Sequence, residues 1–229
     1  MRVTPLGAFF AGVPDRLPPF VAAATRITHA DPKALTAAMA VASLAAWAIR
    51  ERLREPPPLP AFLATLRQAG PDDPAWLEIV RSIEAAHGQN LQVEEFASRL
   101  GLQRGVTGYA YHTVPVAAYA WYRHYGDFPA TLTSVLNCGG DTDTAGAIAG
   151  ALAGAVTGAS GIPREWLDGI IEWPRNRQAL SKIADRLAEQ LANRPTPPVR
   201  YFWPGLIPRN LLFLLVVLLH GFRRLAPPY

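Results

Sequence analysis

Apolar residues recur at helical spacing along most of the chain, and prolines and glycines cut that recurrence into segments. Asp31 followed by Pro32 reads as an N-cap and first helical residue, and the alanine-rich run over 32–54 reads as the helix it opens. Pro56, Pro57 and Pro58 stop it. The same logic predicts helices over 60–68, 74–87 (capped by Asp73, with Gly88 past its end) and 93–100, opening near Gln92. Residues 101–113 read as a loop. Helices are then expected over 114–125, with Pro115 in the first turn, over 128–136 behind Asp127, and over 142–159, 163–171 and 174–193. No stretch alternates apolar and polar positions as a half-buried strand would, so the fold class is all-α.

Composition sharpens this picture. Half of the 229 residues are hydrophobic, enough for a sizeable core, while charged residues make up 17%, below the roughly 25% of average globular chains. Tightly packed helices fit those values. The net charge of +4 raises nucleic acid as a partner, but the basic residues are scattered. Their densest spots (Arg50, Arg52 and Arg54; Arg164, Arg175 and Arg177; Arg223 and Arg224) lack interleaved aromatics and read as solvated helix surface. The lone cysteine, Cys138, rules out an intrachain disulfide and suggests a reducing, cytoplasmic setting. The start, Met1 to Pro5, has no apolar signal region.

The composition breaks at 194–198, a proline-rich linker. Two parts are therefore expected: a helical domain over 1–194, and a linker with an apolar helix over 195–229. The unbroken aliphatic run 211–219 is far shorter than the roughly 20 residues of a membrane span. It is expected to be buried or docked, on the domain, on another chain or on a membrane surface.

The chemistry concentrates in Gly139-Gly140-Asp141-Thr142-Asp143-Thr144. Two carboxylates and a hydroxyl within four residues are the oxygen ligands that hard divalent cations take. Side chains two apart on a regular helix do not face one another, so Asp141 and Asp143 converge only on an irregular backbone or in a first helical turn. The two glycines permit that backbone. The competing reading is that one aspartate is merely an N-cap, which leaves the other acid and both glycines unexplained. Gly146, Gly150, Gly154 and Gly158 then recur every four residues. Each internal glycine costs about 1 kcal/mol against alanine, and close approach of a neighbouring helix is the expected return. A calcium-loop reading fails, because positions 5 and 12 from Asp141 are Ala145 and Leu152. A phosphotransferase Asp-x-Asp reading lacks the apolar strand it needs before Asp141.

The segment Asn137 to Thr144, running into the Ala/Gly helix and then Ile162-Pro163-Arg164-Glu165-Trp166-Leu167, resembles the ADP-ribosylglycohydrolase family, which includes the dinitrogenase reductase-activating glycohydrolases. Met1-Arg2 with Gly7, Thr28-His29-Ala30-Asp31-Pro32, and Gly105-Val106-Thr107-Gly108-Tyr109 with His112 to Pro115 resemble further family segments in the same order, over about 1–175. The resemblance implies an orthogonal helical bundle with two Mg²⁺ (or Mn²⁺) ions. It implies Asp141, Asp143 and Thr144 as metal ligands, with both aspartates catalytic. His29, Gly105, Gly108 and Tyr109 would meet the substrate, an ADP-ribosylated protein or a small ADP-ribose derivative. The chain departs from the family in lacking the acidic Thr-Asp-Asp-Thr segment that supplies the other ligands. The acid pair Asp72-Asp73 lies between two prolines and reads as a helix cap. Two functions are therefore carried forward. In one, a longer protein hydrolyses an ADP-ribosyl bond and this chain alone is weak or inactive. In the other, the chain is an inactive ADP-ribose-binding or structural module. His112 is expected to be structural, Cys138 non-catalytic, and Trp121, Trp166 and Trp173 to be core aromatics.

Overall fold

The computed structural model describes residues 1–51, 55–200 and 202–225. The expected end of the 32–54 helix, with Arg52 and Arg54, lies outside the described residues. Among the described residues there are twelve α-helices and no strand, as the periodicity predicts. The chain divides into two compact units, Met1–Pro163 and Arg164–Tyr229.

The first unit holds α1 (Thr4–Phe9), α2 (Leu17–Arg26), α3 (Pro32–Glu51), α4 (Leu59–Ala69), α5 (Pro74–Gly88), α6 (Val93–Arg99), α7 (Ala110–Arg123), α8 (Phe128–Asn137) and α9 (Thr142–Thr157). Helices α3, α7 and α9 pack on one another and form its centre. On α3, Ala37, Ala40, Val41, Leu44, Ala45 and Ala48 are buried at the i, i+3, i+4, i+7 spacing of a core stripe. Small side chains there let α1 come close: a Cβ on Gly7 would stand 2.1 Å from the Ala42 carbonyl oxygen. On α7, eleven of fourteen residues are buried, so it lacks a solvent face. Its two buried tyrosines at 119 and 122 keep their hydroxyls satisfied, whereas the buried Trp121 indole N–H has no partner among the described residues. The Tyr119 and Tyr122 hydroxyls donate to the Leu91 and Pro57 carbonyls at 2.8 and 2.9 Å, and Trp76 of α5 donates to the Leu66 carbonyl at 2.7 Å.

Helix α7 begins four residues before its expected start, which leaves Pro115 inside the helix. The first turn is nucleated locally. The Thr113 hydroxyl donates to the Thr107 and Tyr109 carbonyls at 2.9 and 3.1 Å, and the Tyr109 amide donates to the Thr107 hydroxyl at 3.2 Å. Helices α1 and α2 were not anticipated, because each is short and proline-opened. The expected caps occur at Asp73, Asp127 and, as a capping box, Gln92 with Glu95.

The second unit holds α10 (Arg164–Asp168), α11 (Arg177–Leu191) and α12 (Leu206–Leu225). Asn176 caps α11 three residues after the expected start. One expectation fails here. Trp166 and Trp173 are 39% and 51% exposed and are not core residues, whereas Trp121 is buried. The apolar run 211–219 belongs to a longer helix and is 47–64% exposed throughout, not covered by other described residues.

Candidate functional site

Two loops meet at one end of the first unit. Leu102 to Tyr109 precedes α7, and Cys138 to Asp141 precedes α9. They are stitched by a parallel bridge between Val106 and Gly140. The Val106 amide donates to the Gly139 carbonyl at 3.0 Å, and the Asp141 amide donates to the Val106 carbonyl at 2.6 Å. Only glycine fits the crossing. Gly140 has φ +79° and Gly105 φ +108°, and a Cβ on Gly140 would lie 2.1 Å from the Val106 oxygen. The paired glycines thus serve a backbone clasp, and the clasp sets the angle at which α9 begins.

That start bends the aspartates together. The Asp141 and Asp143 carboxyls meet within hydrogen-bonding reach, and the Thr144 hydroxyl joins Asp141. Asp143 first, then Thr144, hold the Asp141 carboxyl below the usual carboxylate range. Asp141 is also the N-cap of α9, so the capping reading holds in part, but its bond from the Thr144 amide is long at 3.4 Å. Its other oxygen leans on the clasp loop: a Cβ on Gly108 would be 2.9 Å from Oδ2.

Beside this turn lies a cavity of ≈ 410 Å³, inside the usual size range of small-molecule sites. Thr144 and Gly108 line one side, and Arg2, Thr28 and His29 another, with Ala34, Ala37, Ala38 and Val41 of α3 forming an apolar wall. Arg2 is fixed by donating to the Thr28 hydroxyl at 2.6 Å and the Ala24 carbonyl at 3.3 Å. The Thr28 hydroxyl also pairs with His29 Nδ1 at 2.7 Å. Arg2 and Thr28 are not among the site residues expected from the sequence. Their signal was present in the Met1-Arg2 and Thr28-His29 segments, but nothing in the spacing brings segments 26 residues apart together.

Of the expected residues, Asp141, Asp143 and Thr144 converge, and Thr144, Gly108 and His29 share the cavity. Gly105 and Tyr109 do not line it. Gly105 is committed to the Gly139–Gly140 crossing, and Tyr109 packs against Tyr111, His112 and the Lys33 ammonium. His112 pairs with the Thr107 hydroxyl at 2.8 Å and so braces the clasp loop. The Cys138 thiol is pushed up to about 11 by burial and donates to the Ser134 carbonyl, which removes it as a nucleophile. Two carboxylates and a hydroxyl fit a hard cation in type, but such ions take six or more oxygens. Among the described residues no group of three or more His, Cys, Asp and Glu side chains is placed to hold a metal ion.

The first unit is thus an all-helical bundle whose oxygen-bearing turn is held by a glycine clasp. The chain belongs to the ADP-ribosylglycohydrolase family, whose model matches residues 1–197. It is 28% identical over 194 residues to an Archaeoglobus fulgidus protein described as uncharacterized, an alignment covering 82% of this chain and 56% of that relative. The chain thus spans little more than half the length of the curated relative it matches. No solved structure matches. The family is typically metal-dependent.

Proposed function

We propose that this chain is part of a hydrolase that removes ADP-ribose from a protein or small-molecule acceptor, with Asp141, Asp143 and Thr144 holding Mg²⁺ or Mn²⁺. The observation that carries the reading is the gathering of the Asp143 and Thr144 side chains on the Asp141 carboxyl, with Thr144 itself lining the cavity. Carboxylates this close repel one another unless a cation or proton sits between them. A bound ion would polarise water and steady charge developing on the sugar.

The chain's own residues do the rest. Gly108 lines the cavity without a side chain, and a Cβ there would lie 2.9 Å from Asp141 Oδ2, so the glycine lets that carboxylate lie against the loop. Arg2, held by Thr28 and the Ala24 carbonyl, offers fixed positive charge to a pyrophosphate. The apolar α3 wall keeps water from one side of the cavity. Further ligands are needed beyond these three, so the chain alone is expected to bind metal weakly and turn over little. A protein extended by a second acidic segment is expected to release ADP-ribose.

Calorimetric titration of Mg²⁺ and ADP-ribose into the chain and into an extended protein tests this. Weak binding to the chain, tighter binding to the extended protein, and loss of both with Asp143→Asn are expected. Undiminished metal binding and activity in Asp143→Asn would remove that residue from the site. ADP-ribose binding without metal or turnover in the extended protein would favour the inactive-module reading.

A further inference from the structure

Helix α12 carries an apolar surface that the described chain does not cover, and its charge pattern indicates what does. At 100° per residue, Leu211, Leu214, Leu215, Leu218, Phe222 and Leu225 fall on one arc. Arg209, Asn210, His220, Arg223 and Arg224 fall on the opposite one. The apolar arc is exposed along its whole length, with Leu211 62%, Leu215 53% and Phe222 66% accessible. From Gln190 onward the sequence contains Arg194, Arg200, Arg209, Arg223 and Arg224 and not one Asp or Glu. Trp203, 65% exposed, stands just before the helix.

We infer that α12 lies in the headgroup region of an anionic lipid bilayer, with its leucine arc in the acyl boundary and its arginines toward lipid phosphates. A cationic polar arc free of acids opposite a wide leucine arc is the pattern of interfacial helices. Phe213, Val216 and Val217 interrupt the polar arc, and the Arg209 guanidinium lies over the Phe213 ring at 5.5 Å, so the helix is set deep in the interface. A full span fits less well. Arg209 and Arg223 are fourteen residues apart, about 21 Å of helix, against a hydrocarbon core of about 30 Å. Arg209 is also paired with Glu172 at 2.8 Å in the same unit, which keeps that end of the helix in the polar layer.

Flotation of the intact chain with phosphatidylcholine vesicles, and with vesicles also carrying phosphatidylglycerol, tests the inference. The chain is expected to float with the anionic vesicles, poorly with neutral ones, and to be released by alkaline carbonate. Arg223→Ala with Arg224→Ala should lower binding roughly 25-fold, about fivefold for each charge. Leu215→Glu with Leu218→Glu should abolish it, while the thermal transition of the first unit stays in place and shows that folding is intact. Absence of flotation overturns the inference. So does flotation that resists carbonate, which would mean a span. A dimer dissolved by Leu215→Glu and Leu218→Glu without any lipid binding would make a second copy the occupant instead.

Discussion

The starts of α5 and α9 each carry two aspartates, Asp72 with Asp73 and Asp141 with Asp143, and they use those carboxylates differently. Asp73 accepts from the Ala75 and Trp76 amides at 2.9 and 3.1 Å through one oxygen, and from the Tyr111 hydroxyl at 2.6 Å through the other. Asp72 takes no part in that set of bonds. At α9 the cap bond is stretched to 3.4 Å, and the second acid hydrogen-bonds with the first, next to Thr144 on the cavity wall. An acid pair that completes its own turn is structural. A pair that gathers on one carboxyl beyond the cap bond is the one on which the proposed metal site rests.

Breaking the clasp should have the largest effect. Gly140→Ala combines a positive φ with a Cβ inside contact distance of the Val106 oxygen, and is expected to cost about 3 kcal/mol or more in chemical denaturation. Asp73→Ala comes next, at about 2 kcal/mol, since it removes a cap and leaves the Tyr111 hydroxyl without its acceptor. Asp143→Asn should leave the denaturation midpoint close to that of the wild type, because an asparagine amide can still donate to the Asp141 carboxyl. A fall as large as that of Asp73→Ala would make the α9 pair structural too.

The two turns also part on acidification. The Tyr111 hydroxyl, then the Trp76 amide, hold the folded Asp73 carboxyl below its unfolded value of 3.8. The unfolded chain therefore takes up the proton first. Stability from Asp73 is complete above about that pH and drains away as pH falls through the lower folded value. Thermal melts of the wild type and Asp73→Asn should converge at low pH and separate above it. The smallest effect belongs to Gly154→Ala, where a Cβ meets nothing nearer than Phe128 at 4.0 Å. It should stabilise by up to about 1 kcal/mol. Gly146→Ala, facing Leu132 and Leu136 at 3.3 Å, should gain less or lose.

These glycines mark how far sequence reasoning reached. The four-residue repeat predicted close helix contact along all of α9, but only Gly146 is tight. Helix class, the Asp73 and Asp127 caps and the acid turn were legible because each depends on residues within a few positions of one another. The clasp was not, because it pairs Val106 with Gly140 through backbone atoms that side-chain patterns do not record. Nor was the placement of Tyr109, which the family resemblance assigns to the substrate and the structure packs on Lys33, Tyr111 and His112. Helix α12 was read as a nine-residue apolar run. The amphipathic character emerges only when the helix extends over 206–225 and brings its arginines onto one arc.

The most direct test of the α9 turn is paramagnetic broadening of backbone amide NMR signals by substoichiometric Mn²⁺. The signals of Asp141 to Thr144 and of Gly108 should broaden first, with those of Asp72, Asp73, Ala75 and Trp76 untouched, and Asp143→Asn should remove the effect. Equal broadening at both turns, or none at Asp141 to Thr144, would contradict the account.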